Sequence, residues 1–440
     1  MQEKLELQLF IEHEQQGTYF TLPFTMPPDV ESMVLRYSYD RHIESERPVE
    51  RGTFIAREEV NIIDLGLISP DGKQVGASGS DKREIFISET DATPGYNPCS
   101  LVPGRWQIIV GAYKVAPGGV NVTYEITFTF KRLRLLKGDL HTHTVGSDGV
   151  FTAAELGRRA RLHGLDFLAI TDHNQMVSRQ SLPRIEGLTL IPGIEWTHYR
   201  GHANFLGVDR PYDEPFFANT PEEVRRRFQS ARERGALIMI NHPFEEGNEF
   251  QFDLEELPFD CLNVWNGPMR MQNFQAVALW QSMLEQGKKV PICGGSDYHR
   301  DMPFLYPGAP ATCVYARSAG VEDILEALRR GHAYIIYAPD GPTLEMRAGE
   351  EAILGDTVPW PEVREMEIYL EGLQAGDKVQ VITARKSETI LEAPAPGSYR
   401  TTYIMEEPGF ARLVVMRLFL PGIPELPALL SNPIYFEERC

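Results

Sequence analysis

Apolar and polar residues alternate along much of the first 135 positions. Val122, Tyr124, Ile126, Phe128 and Phe130 are interleaved with Asn121, Thr123, Glu125, Thr127 and Thr129. A period of two predicts a strand with one buried face. Trp106, Ile108, Val110 and Ala112 repeat the pattern, as do Leu5, Leu7, Leu9 and Ile11. Turn-forming runs separate them: Pro27-Pro28-Asp29, Ser69-Pro70-Asp71-Gly72 and Pro117-Gly118-Gly119. Short strands punctuated this way predict a β-sandwich over residues 1–135.

The texture changes over residues 136–338. Apolar runs of strand length now alternate with helical segments. Thr152-Ala153-Ala154-Glu155 and Thr220-Pro221-Glu222-Glu223 both have the form of a capping box at a helix start. The first of these helices should end near Gly164 and the second at Gly235. Two more helices are expected, one around 275–286 and one over 321–330. Strands are expected at 166–171, 188–191, 236–241, 261–265, 290–293 and 333–336. Repeated β-then-α order implies a parallel sheet, and about seven units in some 200 residues suggest a compact barrel. Residues 339–440 read as β again, with strands at 367–371, 378–382 and 411–416 and frequent Pro and Gly between them. They are expected to form a second small β-sandwich.

Composition narrows the function classes. Of 440 residues, 42% are hydrophobic and 24% charged, ordinary for a globular protein. Acidic residues outnumber basic ones 62 to 43, for a net charge of −19. Such a surface disfavours non-specific binding to nucleic acid or to an anionic membrane. It does not exclude a local positive site, and a small anionic substrate is the partner expected for the site described below. The first residues lack the apolar core of a signal peptide, and no run of about 18 apolar residues predicts a membrane span. Cys99, Cys261, Cys293, Cys313 and Cys440 are scattered and odd in number. A reducing, cytoplasmic location is the expectation.

The chemistry gathers in the middle region. Nine of the eleven histidines lie between positions 141 and 332. His141 and His143, two apart, should point the same way from an extended chain, with Asp148 close behind. Other candidate ligands sit at or just past a predicted strand end: His173 after Asp172, Glu195 after Gly193-Ile194, His242 after Asn241, and Asp297 and His299 after Gly295-Ser296. In an α/β barrel those ends share one face, where active sites lie. His202 does not fit this scheme and has to enter from a strand's beginning or a loop. A lone His-x-His is as readily a pair of surface histidines; the company these two keep argues for a metal site.

Taken in order, these motifs resemble the polymerase and histidinol phosphatase (PHP) superfamily of metal-dependent hydrolases. The carrying residues are Asp139-Leu140-His141-Thr142-His143-Thr144 with Ser147-Asp148-Gly149, Ile170-Thr171-Asp172-His173-Asn174, Gly193-Ile194-Glu195 with His202, Asn241-His242-Pro243, and Gly295-Ser296-Asp297-Tyr298-His299. The resemblance covers about 137–338. More loosely, Val264-Trp265-Asn266-Gly267, Leu430-Ser431-Asn432-Pro433-Ile434-Tyr435 and the layout of the whole chain resemble the carbaryl-hydrolase-like branch. The superfamily resemblance implies a distorted (β/α)7 barrel holding two to three divalent ions, Zn²⁺, Mn²⁺ or Fe²⁺. It assigns His141, His143, Glu195 and Asp297 to a first metal. A bridging Glu195 with His202 and His242 would hold the second, and Asp148, His173 and His299 the third. No position of the pattern is missing.

Loaded with three divalent ions, such a site is cationic and suits an anionic substrate and transition state. The expected reaction is hydrolysis of a small or nucleotide-like phosphate ester by a metal-bridging hydroxide, with Asp297 as ligand and proton shuttle. His198 is the candidate leaving-group acid. Arg200 and Arg300, which adjoin ligands, are candidate oxyanion partners, with Arg270 behind them, and Asn266 is a candidate substrate contact. Two other functions fit the same residues. One is hydrolysis of a carboxyl ester or carbamate. The other is a non-catalytic binding role built on a vestigial barrel.

Overall fold

The computed structural model describes residues 2–49 and 52–438, so Cys440 lies outside the described residues. The chain is multidomain and mostly β, with four α-helices among the described residues. Two compact units emerge, Met1–Arg132 and Leu133–Cys440.

In the first unit the expected strands form at Gln2–Ile11, Gly104–Lys114 and Val120–Phe130. They belong to two four-stranded antiparallel sheets. One runs Gln2–Ile11, Val120–Phe130, Val30–Tyr39, Glu84–Ser88; the other runs Thr18–Met26, Gly104–Lys114, Ile62–Ile68, Gln74–Ser78. The alternating apolar side chains of both sheets meet in one core. Trp106, Ile108 and Val110 come from one sheet, and Val122, Tyr124, Ile126 and Phe128 from the other.

The second unit carries the histidines. Its first strands are β1 (Arg134–Asp139), β2 (Phe167–Ile170), β3 (Thr189–His198), β4 (Gly201–Leu206), β5 (Leu237–Ile240), β6 (Cys261–Asn266), β7 (Ile292–Gly295), β8 (Ala311–Ala316) and β9 (Ala333–Ile336). The helices are α1 (Ala153–Leu162), α2 (Pro221–Glu233), α3 (Met271–Glu285) and α4 (Val321–Arg329). Both expected capping boxes form: the Thr152 and Thr220 hydroxyls accept from the Glu155 and Glu223 amides. β2, β5 and β7 are buried at every position, which is why they read as unbroken apolar runs.

The sheet is not wholly parallel. β1–β2, β2–β3, β5–β6 and β6–β7 pair in parallel. β3–β4, β4–β5, β1–β8 and β8–β9 pair antiparallel. The departure at β3 and β4 has a local cause. The chain turns straight back at Tyr199-Arg200, with Gly201 in the left-handed region at φ 129°, and no helix intervenes.

Past β9 the same sheet continues into the C-terminal residues through β10 (Gly409–Arg417) and β11 (Leu426–Ser431). β9 pairs with β11, and β11 with β10. A separate four-stranded sheet in that region runs Ala352–Ile353, Thr343–Ala348, Glu365–Leu373, Gly397–Ile404.

Candidate metal centre

β1 ends at Asp139, but the extended run continues. Thr142 bridges to Tyr298, and the His143 amide donates to Tyr298 O at 2.9 Å. The alternation therefore holds through His141 and His143, whose ring centroids lie 5.2 Å apart. Glu195 is not at a strand end. It sits within the ten residues of β3, opposite Asn204 of β4, while Thr197 is opposite His202. Residues directly opposite share a face of the sheet, as do residues two apart. Glu195, Thr197, His202 and Asn204 thus all point inward, and the hairpin is what delivers His202.

All nine residues expected as ligands come together. Four overlapping groups form, each with ligand atoms within 4.8 Å of one another: His143, Asp148, His173 and His299; His141, His143 and Glu195; His141, His242 and Asp297; and Glu195, His202 and His242. Glu195 is the hub. Its Oε1 lies 3.2 Å from His141 Nε2, 3.2 Å from His202 Nδ1 and 3.5 Å from His242 Nε2. Its Oε2 lies 2.8 Å from His173 Nδ1 and 3.4 Å from His143 Nε2. Asp297 Oδ1 is 3.1 Å from His143 Nε2 and 3.5 Å from His141 Nε2. Asp148 Oδ1 is 3.2 Å from His299 Nε2.

The donor set fits divalent cations. Both ring nitrogens of His141 and of His143 and Nδ1 of His242 are buried without a hydrogen-bond partner. Each unmet buried polar atom costs about 1–3 kcal/mol. A group of imidazoles and carboxylates closing on shared points recovers that cost by ligating metal.

The electrostatics show how strongly the groups interact. Burial opposes charging His141, but Asp297 and Glu195 outweigh it and push its pKa up to about 9. Burial lowers that of His143. Burial also opposes ionisation of Glu195 and Asp297, yet His141 and its neighbours hold both well below the ordinary carboxylate range. The backbone is strained at the same place: His242 and Asp297 sit in the left-handed region at φ 23° and 53°. Strain of that kind persists where the surroundings enforce it, typically at functional sites.

One expected role, that of His198 as leaving-group acid, meets an obstacle. Both His198 nitrogens are engaged: Nε2 bonds Ala218 O at 2.9 Å, and Nδ1 accepts from the Arg200 amide at 3.0 Å. That ring has no nitrogen left for a leaving group. Arg200 lies over the Phe252 ring, 4.9 Å from its centroid, and donates to Gln251 O. Arg270 pairs with Glu245 at 2.5 Å. Asn266 is buried and donates to Asp297 Oδ2 at 3.1 Å, so it faces the ligand cluster. Arg300 is exposed beside His299.

Asp172 and Thr197 carry roles that motif reading did not assign, while Asn241, a candidate to orient ligands or substrate, meets a ligand. Asp172 accepts from the Thr144 amide and hydroxyl and from the Ser147 hydroxyl, at 2.7, 2.6 and 2.9 Å. It thereby holds the loop that carries Asp148. Thr197 Oγ1 lies 2.7 Å from His173 Nδ1. Asn241 Nδ2 donates to Glu195 Oε1 at 2.8 Å. The available signal was position: Asp172 and Asn241 each directly precede a ligand histidine.

No family model matches the chain. It is 35% identical over 111 residues to the 5'-3' exoribonuclease Rnm of Escherichia coli, covering 22% of this chain and 36% of that protein. Over 110 residues it is 30% identical to a 3',5'-nucleoside bisphosphate phosphatase of Chromobacterium violaceum, covering 23% of this chain and 37% of that one. The chain thus spans little more than a third of the length of these curated relatives. Among solved structures, a two-domain protein with a predicted PHP-like metal-dependent phosphoesterase from Bacteroides vulgatus covers 68% of this chain and 95% of its own. It does so at 18% identity and a TM-score of 0.39. The ordered motifs and the ligand cluster they build keep the resemblance to the PHP superfamily, and the curated relatives are similar to this chain over these stretches alone.

Proposed function

We propose that this protein is a metal-dependent phosphoesterase acting on a small or nucleotide-like phosphate ester. The observation that carries the reading is the convergence of six imidazoles and three carboxylates, with Glu195 at the centre and buried nitrogens left unpaired. His141, His143, Glu195 and Asp297 would hold one ion, Glu195, His202 and His242 a second, and Asp148, His173 and His299 a third. Bound ions supply Lewis acidity, acidify water toward neutral pH and favour negative charge on the reacting group. Asp297 takes the proton of the attacking water, and exposed Arg300 meets the substrate's anionic oxygens. The same reading takes 136–338 as a distorted (β/α)7 barrel, with β-sandwich domains at 1–135 and 339–440. It places the protein in the cytoplasm, in keeping with the free cysteines among the described residues.

The carboxyl-ester or carbamate reading drew on the Asn432-Pro433-Ile434-Tyr435 segment. Asn432 bonds Ile292 and Ala333, the first residues of β7 and β9. The candidate ligands cluster at the opposite ends of the strands, so this segment supports packing rather than chemistry. A vestigial barrel is disfavoured by the complete ligand set. The deciding experiment compares turnover of a nitrophenyl phosphate, a nitrophenyl acetate and an aryl carbamate with Mn²⁺ and with Zn²⁺, beside metal analysis. Phosphate-selective turnover, abolished by Asp297→Asn, is expected. Carbamate-selective turnover, or fewer than two metals per chain and no hydrolysis, would refute the reading.

A further inference from the structure

Asp297 has two carboxylate oxygens, and the fold treats them differently. Oδ1 faces His141 and His143 at 3.5 and 3.1 Å. Oδ2 accepts the side-chain amide of Asn266 at 3.1 Å. A carboxylate can only accept, so Asn266 must turn its NH2 toward it and its carbonyl away. That carbonyl in turn accepts from Asn263 Nδ2 at 3.3 Å. The backbone of Asn266 is clamped as well. Its amide donates to Asn273 Oδ1 at 3.2 Å, and its carbonyl accepts from Asn273 Nδ2 at 3.2 Å. Asn263, Asn266 and Asn273 are all buried. A side chain with so many partners has little freedom to move.

We propose that Asn266 is a positioning residue. It occupies Oδ2 of Asp297 so that Oδ1 alone is presented to the metals, with Asn263 and Asn273 as its braces. The inference rests on the metal-dependent reading of the site. An amide suits this task better than the alternatives. Lysine or arginine would neutralise the charge that a cation needs, and a second carboxylate would repel the first. The backbone of Asp297 is held from the other side. Its amide donates to His141 O at 2.9 Å, its carbonyl accepts from His299 Nδ1 at 2.8 Å, and its φ of 53° leaves the side chain little latitude. The Asn266 contact completes the constraint on the carboxylate plane. Partners that orient a metal's ligands in this way are worth about 10- to 100-fold in affinity or activity.

The test titrates the full chain with Mn²⁺ alone by calorimetry and follows turnover of bis(p-nitrophenyl) phosphate. Asn266→Ala is expected to weaken one Mn²⁺ step by about 10- to 100-fold and leave the others within about twofold. Its kcat should fall while KM stays unchanged. Wild-type Mn²⁺ affinity in this variant overturns the proposal. So does a raised KM with kcat kept, which would make Asn266 a substrate contact. If Asn266→Ala does not fold, Asn263→Ala is read the same way, since it keeps the amide at 266 but removes its brace. Weaker Mn²⁺ binding is then expected, and wild-type affinity is the overturning result. Should the wild-type chain hydrolyse no phosphoester at all, the phosphoesterase reading fails while the calorimetric comparison still decides this one.

Discussion

Asp139 and Ser296, 157 positions apart, are joined twice: the Ser296 amide donates to Asp139 Oδ1 at 2.9 Å and its hydroxyl to Oδ2 at 2.5 Å. The amides of His141 and Gly308 donate to the same carboxylate at 3.2 and 2.8 Å. One buried acid therefore ties the first histidine motif to the last. Asp139→Asn keeps the size but turns an NH2 toward donors that need an acceptor. Hydrogen bonds to a charged group are worth about 1.5–3 kcal/mol. A loss of about 2–4 kcal/mol is expected in urea unfolding of the metal-free protein, with weaker Mn²⁺ binding. Unchanged unfolding would show that the link carries no stability.

Metal should act as a stabilising ligand. His141 and His143 are gathered with Glu195 and Asp297 only in the folded chain. A cation that binds the folded state alone adds about 2.7 kcal/mol per site at 100 times its Kd. Chelation followed by differential scanning calorimetry should lower Tm, and Mn²⁺ should restore it. A Tm indifferent to chelator would contradict a metal-filled site.

The C-terminal residues contain a buried ion pair whose disruption should be costly. Arg417 meets Asp377 through Nε and Nη2, with closest approaches of 2.9 and 2.6 Å, and Nη2 also donates to Gly372 O. Removing one partner leaves a buried charge uncompensated, at about 3–5 kcal/mol. Arg417→Ala should lose that much in denaturant titration, whereas replacing both residues with apolar ones of similar size should lose less. Equal losses in the single and double variants would rule out charge burial as the cause.

A pH dependence follows from Asp356. Burial opposes its charge, but His332, 2.9 Å from its Oδ1, and the Ile353 amide outweigh burial and hold its pKa below the ordinary value. A depressed folded pKa gives stability that is complete above the unfolded value, about 3.9. That stability is lost as pH falls through the folded value. Asp356→Asn should therefore be less stable near neutrality and lose less between about pH 5 and pH 3 than the parent chain. Parallel acid limbs for the two proteins would exclude this group.

Asn432 offers a contrast with the ligand residues. Its amide accepts from the Ile292 amide at 2.8 Å and donates to Ile292 O and Ala333 O at 3.1 and 2.8 Å. Asn432→Ala should cost about 2–4 kcal/mol, because buried donors and acceptors lose their partners. Its kcat per folded molecule should stay at the parent value. A specific loss of carbamate turnover would instead give the segment a catalytic role.

Much of this protein is legible in the chain alone. Period-two alternation marked the strands at Gln2–Ile11, Gly104–Lys114 and Val120–Phe130, because a face against a core must be apolar and the other need not be. The capping boxes at Thr152 and Thr220 marked helix starts, since their chemistry is local. The nine candidate ligands could be named because metal-binding side chains recur at predicted strand ends and their ordered motifs resemble those of a metal-dependent hydrolase superfamily.

What the chain alone did not reveal is non-local. Pattern reading cannot tell a crossover from a direct return, so the β3–β4 hairpin and the inward delivery of His202 appeared only with strand pairing. Nor could it tell His198, whose ring is consumed by Ala218 O and the Arg200 amide, from a free acid in the same segment. Asn266 is the clearest case. Its type allowed contact with a substrate or with a ligand, and only the approach of β6 to the residues after β7 turned it toward Asp297. Which atoms a polar side chain can reach depends on which strands lie beside it, and that is set when the whole sheet assembles.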